Sequence, residues 1–251
     1  MKPADVLFLA LFGLGLLLDP LILWPAFIRR SRADSVRART FLWSSWIVLL
    51  WLLTAAAVAL WVREARSWEA LRLVALHGWR LWVATGLVAA CAISYGRRAA
   101  RIARRLRRGR VKIGNPGVER LAPQTGPELG LWLALSVTAG CCEEFLFRGY
   151  LIWAFQPLLG LWGAAALSLV VFTVAHAYQG AKGMVAVGAV GAVLTVVVLT
   201  LGSLWPAMLM HAIIDAGEGL VAWLVLRKQS SWRIDAHFAS PVNGGGVRPP
   251  A

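Results

Sequence analysis

Six polar side chains stand inside otherwise apolar runs in the second half of the chain. They are Glu143, Glu144 and Arg148 in CCEEFLFRGY, His176 in SLVVFTVAHAYQG, and His211 and Asp215 in SLWPAMLMHAIIDAGEGL. Holding a charge in hydrocarbon costs at least ~2.5 kcal/mol per residue, so such residues pair with one another or do chemistry. A Glu and a His on either side of a water can take its proton for attack on a carbonyl, and a second His with its neighbour can stabilise the oxyanion that forms. Two histidines with carboxylates could equally hold Zn²⁺, which would activate the same water. The soluble zinc-site spacing HExxH is absent, so a metal site would have to be assembled across helices.

Each residue taken singly has a plainer reading. A buried Glu–Arg pair on one helix is commonly a structural lock, and a lone His can bond a neighbouring carbonyl. Cys141 and Cys142 read as small apolar packing groups, with no basic residue placed to activate them. The conjunction on three apolar helices is what points to an intramembrane hydrophilic site.

Helical geometry sets which groups can meet. Glu144 and Arg148 are four apart and share a face, as do His211 and Asp215, with Glu218 one turn further on. Glu143 points about 100° away from Glu144, so the two carboxylates are not expected to serve one partner. One is free for chemistry while the other pairs with Arg148.

The elements that position these groups are membrane helices. The chain has 251 residues, 59% hydrophobic and 15% charged, with a mean hydropathy of +0.67, far more apolar than a soluble domain. Seven apolar segments are expected at Val6 to Ile28, Phe41 to Val62, Leu73 to Tyr95, Leu129 to Tyr150, Leu158 to Tyr178, Met184 to Leu201 and Leu204 to Leu226. An eighth arises if the fourth segment, or the region around Pro157, breaks. The fold class is therefore all-α, a polytopic membrane helix bundle with about seven to eight transmembrane helices. The first segment shows no small-residue cleavage site and reads as a retained helix, with Asp19-Pro20 marking a helix break in preference to a substrate path. Among the 14 tryptophans, Trp24, Trp61, Trp205 and Trp223 lie near segment ends, as in an interfacial belt, whereas Trp46 and Trp51 lie inside a segment. Three cysteines, two of them adjacent, imply no disulfide framework.

Charge sets orientation. Arg29, Arg30, Arg32, Arg37 and Arg39 follow the first segment, and nine basic residues lie between Arg97 and Lys112. By the positive-inside rule the N-terminus is outside and the C-terminus cytoplasmic, in a multi-pass protein of the cell membrane. Arg97, Arg101, Arg104, Arg105 and Arg108 recur at helical spacing opposite Ala99, Ile102, Ala103 and Leu106. That is a basic amphipathic helix lying on anionic lipids, and no nucleic acid is expected as partner. GNPG is a turn and APQTGP a polar linker, while SPVNGGGVRPPA is too polar to fold. The organisation is residues 1–96 N-terminal membrane helices, 97–126 basic helix and linker, 127–226 membrane domain with the chemistry, and 227–251 disordered tail.

EEFLFRG, FTVAH and HAIID resemble the EExxxR, FxxxH and HxxxN/D motifs of the CPBP family, the CAAX-protease and bacteriocin-processing intramembrane proteases, over roughly Pro127 to Leu226. The approach SLWPAMLMH is also similar to that family. The resemblance implies an all-helical fold of about eight membrane helices with its active site in a cavity within the membrane. It makes Glu143 the catalytic glutamate and His176 its partner in activating water. Glu144 and Arg148 become positioning groups, and His211 and Asp215 line the oxyanion side. Family members are often labelled metalloproteases and a metal-free glutamate mechanism is also proposed, so the cofactor is none or Zn²⁺, with Glu143, His176, His211 and Asp215 the candidate ligands. The prenyl-protease branch carries Asn at the last position, which can donate to an oxyanion, whereas Asp215 donates only when protonated. That departure points away from a prenylated substrate, and the Ala, Arg and Gly richness fits a bacterial chain.

The expected function is an intramembrane endopeptidase acting on a membrane-associated or bacteriocin-like peptide or protein. The alternatives are a non-catalytic immunity or scaffold protein on the same fold and a proton-coupled transporter, the latter disfavoured by the absence of a detectable inverted repeat.

Overall fold

A computed structural model describes residues 1–108 and 121–239, with no strand among them. The chain runs through α1 (Pro3–Leu18), a π-helical turn (Asp19–Leu23), α2 (Trp24–Ser31), α3 (Ser35–Arg63), α4 (Gly78–Arg107) and α5 (Gly126–Glu143). A second π-helical stretch (Glu144–Leu151) then leads into α6 (Ile152–Ala175), α7 (Gly180–Leu201) and α8 (Trp205–Ala239). The GNPG turn and the tail SPVNGGGVRPPA lie outside the described residues.

The all-helical expectation holds. Large apolar side chains such as Leu21, Trp82, Trp162 and Val185 project outward, more than two-thirds exposed, which suits lipid rather than water. Among the described residues five stretches are long and apolar enough to cross a membrane: Pro3–Ser31, Ser35–Arg63, Gly126–Ala175, Ala177–Leu201 and Trp205–Arg227. The difference from seven has two sources. The fourth and fifth expected segments fall largely in one helical run that bends at Gly160, where φ is +68°. The third begins its helix only at Gly78, because residues 72–77 form a loop, and it runs straight into the arginine-rich turns up to Arg107. At Asp19-Pro20 the chain does not break but widens into a π turn between α1 and α2. Trp61 is not a belt residue: it is wholly buried and packs edge-on against Trp153, with ring centroids 4.8 Å apart.

α8 packs against α4 and α5, and glycines let the helices close in. A Cβ on Gly140 would stand 2.6 Å from the Met208 carbonyl, one on Gly217 2.3 Å from the Tyr95 ring, and one on Gly219 2.1 Å from Trp132 Nε1. Small residues at membrane helix contacts permit such backbone approach, since packing rather than hydrophobicity drives association in lipid.

A buried ion pair and a buried hydrogen bond tie the first half of the chain to the second. Arg39 is not a surface charge as its position after the first segment suggests; it is 1% exposed and meets Glu128 Oε1 at 2.7 Å. The other Glu128 oxygen accepts from the Gln124 and Thr125 backbone N–H groups, both at 2.9 Å, completing the capping box that starts α5. At the far end, Asp5 of α1 meets Arg66 beyond α3 and the Tyr150 hydroxyl.

Candidate active site

The turn that carries the double glutamate is not an ordinary α-helix. From Glu144 to Leu151 the helix widens to π geometry, a distortion frequent at functional sites. A wider turn disturbs the regular carbonyl ladder, and one carbonyl there finds a side-chain partner: Ser168 Oγ donates to Phe147 O at 2.7 Å. All eight residues of the stretch are buried.

Glu144 and Arg148, both 0% exposed, form the pair that four-residue spacing anticipates, with Arg148 Nη1 donating to Glu144 Oε1 at 3.0 Å. Two further acceptors come from α7, the one late helix without a titratable group in its membrane run. Arg148 Nη2 donates to Gly191 O at 3.2 Å and Nε to Thr195 Oγ1 at 3.4 Å, while Thr195 donates to Gly191 O at 2.8 Å. The Phe172 ring lies 4.1 Å from the guanidinium carbon. A buried cation is thus given one full counter-charge, two neutral acceptors and an aromatic face, which is what its desolvation demands.

His211, one turn into α8, is the hub. Its Nδ1 lies 2.8 Å from Glu144 Oε1, and its Nε2 lies 4.0 Å from Glu143 Oε2 and 3.5 Å from Asp215 Oδ2. The two glutamates therefore do flank one partner, contrary to the separation their 100° offset suggests. An imidazole presents nitrogens on opposite edges, so carboxylates pointing in different directions can reach it from two sides. Glu143 Oε2 is buried with no hydrogen-bond partner.

His176 caps α6, and its Nδ1 sits 2.8 Å from Phe172 O. A carbonyl only accepts, so Nδ1 carries the proton and Nε2 a lone pair in the neutral ring. Glu143 lies within electrostatic range of His176, His211, Asp215 and Glu144. The Asp215 side chain is 36% exposed, and its backbone carbonyl accepts from Trp132 Nε1 at 2.8 Å. Glu218, on the same helix face in sequence, turns instead to α4, where it pairs with Arg98 and accepts from Tyr95 OH at 3.3 Å.

All six sequence candidates thus gather around one locus. Among the described residues no three His, Cys, Asp or Glu side chains are arranged to hold a metal ion, so the four candidate ligands do not form a metal site as they stand. The three cysteines are free, with Cys142 buried and Cys141 partly so. Sequence reasoning missed Gly191, Thr195, Trp132 and the wall made by Phe172, whose ring centroid lies 4.6 Å from His176 and 6.2 Å from His211. Phe172 was visible as the first residue of FTVAH; the other three carry no signal beyond being polar or small in apolar helices.

Neither curated proteins nor solved structures yield a match to the chain. Residues 125–217, the stretch that holds all six groups, match the family model described as type II CAAX prenyl endopeptidase Rce1-like, consistent with a CPBP intramembrane protease.

Proposed function

We propose that the chain is an intramembrane endopeptidase of the CPBP type in which Glu143 and His176 activate a water for attack on a peptide carbonyl. The carrying observation is the contrast between the two glutamates. Each glutamate keeps a buried, unbonded Oε2, but Glu144 is tied through Oε1 to both Arg148 and His211, while Glu143 has no closer charged partner than His211 Nε2 at 4.0 Å. A base must have a free lone pair within reach of the proton it takes. His176 supports the same step with its unprotonated Nε2. His211, with carboxylates facing both nitrogens, can present an Nε2–H to the oxyanion, and protonated Asp215 beside it can add a second donor. Glu144 and Arg148 hold His211 in place.

The substrate is a membrane-associated or bacteriocin-like peptide or protein, approached from the side where Asp215 is partly exposed. The arginine-rich end of α4 rests on anionic lipid, with the C-terminus cytoplasmic and the N-terminus outside. The pairing of Arg98 with Glu218 supports this, since it places the basic end of α4 beside the part of α8 that leads to Arg227.

The test is cleavage of membrane-anchored peptides by the purified protein, wild type beside Glu143→Gln, with and without a zinc chelator. Cleavage lost in a folded Glu143→Gln supports the reading, and chelator sensitivity decides whether a metal takes part. A wild type as inert as Glu143→Gln across the panel, with any cellular phenotype intact in both, gives way to the immunity or scaffold alternative.

A further inference from the structure

The catalytic turn is held from a part of the chain outside the matched segment. Tyr150, two residues beyond Arg148 and 1% exposed, donates its hydroxyl to Asp5 Oδ1 at 2.7 Å. Asp5, also 1% exposed, is itself fixed by Arg66 through Nη1–Oδ1 at 2.8 Å and Nη2–Oδ2 at 2.7 Å, and by the Lys2 backbone N–H at 2.7 Å. The Arg66 guanidinium stacks on Trp153, 4.6 Å from its ring centroid, and Phe8 meets the Tyr150 ring edge-on at 5.0 Å.

We propose that Asp5 and Arg66 are positioning residues, which hold Tyr150 and through it the π-helical turn that presents Glu144 and Arg148. A π turn lacks the regular α ladder, so its register depends on side-chain ties. Ser168 supplies one tie at Phe147 O, Thr195, Gly191 and His211 hold Arg148 and Glu144, and the Asp5 carboxylate supplies the tie at Tyr150 near the end of the stretch. The N-terminal helix thereby reaches the site without touching a reacting group.

The test uses the full chain in lipid nanodiscs, with Tyr150→Phe as the principal variant because it removes one hydroxyl and leaves the ring packing intact. Amide hydrogen exchange over 144–151 should quicken about ten- to a hundredfold, the scale of one hydrogen bond to a charged group, while α7 stays unchanged. Asp5→Ala should raise exchange over the same residues, and the double variant should add nothing beyond the larger single effect, as for residues acting through one contact. Unaltered exchange over 144–151 in Tyr150→Phe, or a rise spread evenly into α7, would overturn the proposal. The exchange measurement needs no activity. The kinetic arm alone rests on the endopeptidase reading: kcat should fall with KM unchanged in Tyr150→Phe, and a wild type that cleaves nothing counts against that reading while the exchange result still decides this one.

Discussion

Glu144 offers His211 the same oxygen with which it holds Arg148: Oε1 lies 2.8 Å from Nδ1 of the histidine and 3.0 Å from Nη1 of the arginine. One carboxylate oxygen thus joins the first and third sequence motifs, and the pair cannot be altered at one end without exposing the other.

Glu144→Gln should leave the Arg148 charge buried without a counter-ion and cost about 3–5 kcal/mol of stability. Glu144→Gln combined with Arg148→Met should be less destabilised than Glu144→Gln alone. Thermal unfolding of the wild type and the two variants in one detergent checks this, and a double variant less stable than Glu144→Gln would contradict it.

Gly191→Ala should be costly. A Cβ there would stand 2.9 Å from Arg148 Nη2, 3.0 Å from Leu169 Cδ1 and 3.1 Å from Phe172 Cδ1, and Arg148 is held in place by Glu144, Thr195 and the Gly191 carbonyl itself. Overpacking of this kind costs about 1–3 kcal/mol. Gly86→Ala, with nothing within 4 Å of the added carbon, is the control and should be neutral or slightly stabilising. Equal melting shifts for the two would refute the contact argument.

Arg39 and Glu128 should respond unequally. In Arg39→Met, Glu128 keeps the Gln124 and Thr125 donors; in Glu128→Leu, Arg39 loses its carboxylate and α5 its capping box. Glu128→Leu should therefore lower the melting temperature more, by the equivalent of roughly 1 kcal/mol for the cap in addition to the broken pair.

Asp215→Asn should keep most of any peptidase activity, because an amide can donate to an oxyanion at the place where Asp215 stands 3.5 Å from His211 Nε2. Asp215→Leu removes the polar group and should lower kcat on the order of 10²-fold, as loss of one oxyanion donor does. Equal kcat in the two variants would remove Asp215 from the reacting cluster.

The legible part of the site was its charged part. In an apolar background Glu143, Glu144, Arg148, His176, His211 and Asp215 announce themselves, and four-residue spacing pairs Glu144 with Arg148 and brings His211 to Asp215. The same rule sent Glu218 to that face, whereas it pairs with Arg98, because spacing along one helix is silent about what a neighbouring helix offers. Gly191 and Thr195 stayed hidden for that reason. Arg39 was read as a loop charge since it lies among other arginines between two apolar segments; its partner lies 89 positions away and was readable only as the fourth residue of a capping box, TGPE. The π turn escaped notice too, as Gly149 is the one poor helix former in it and the widening is a property of packing.

The three close glycine contacts along α8 constrain how the site can be built. Tyr95 fills the space a side chain at Gly217 would take, Trp132 that at Gly219, and Met208 and Ala212 that at Gly140. His211 and Asp215 thus stand on a helix whose crossing points admit no Cβ, so the smallest residues of the bundle fix where its most polar ones can lie.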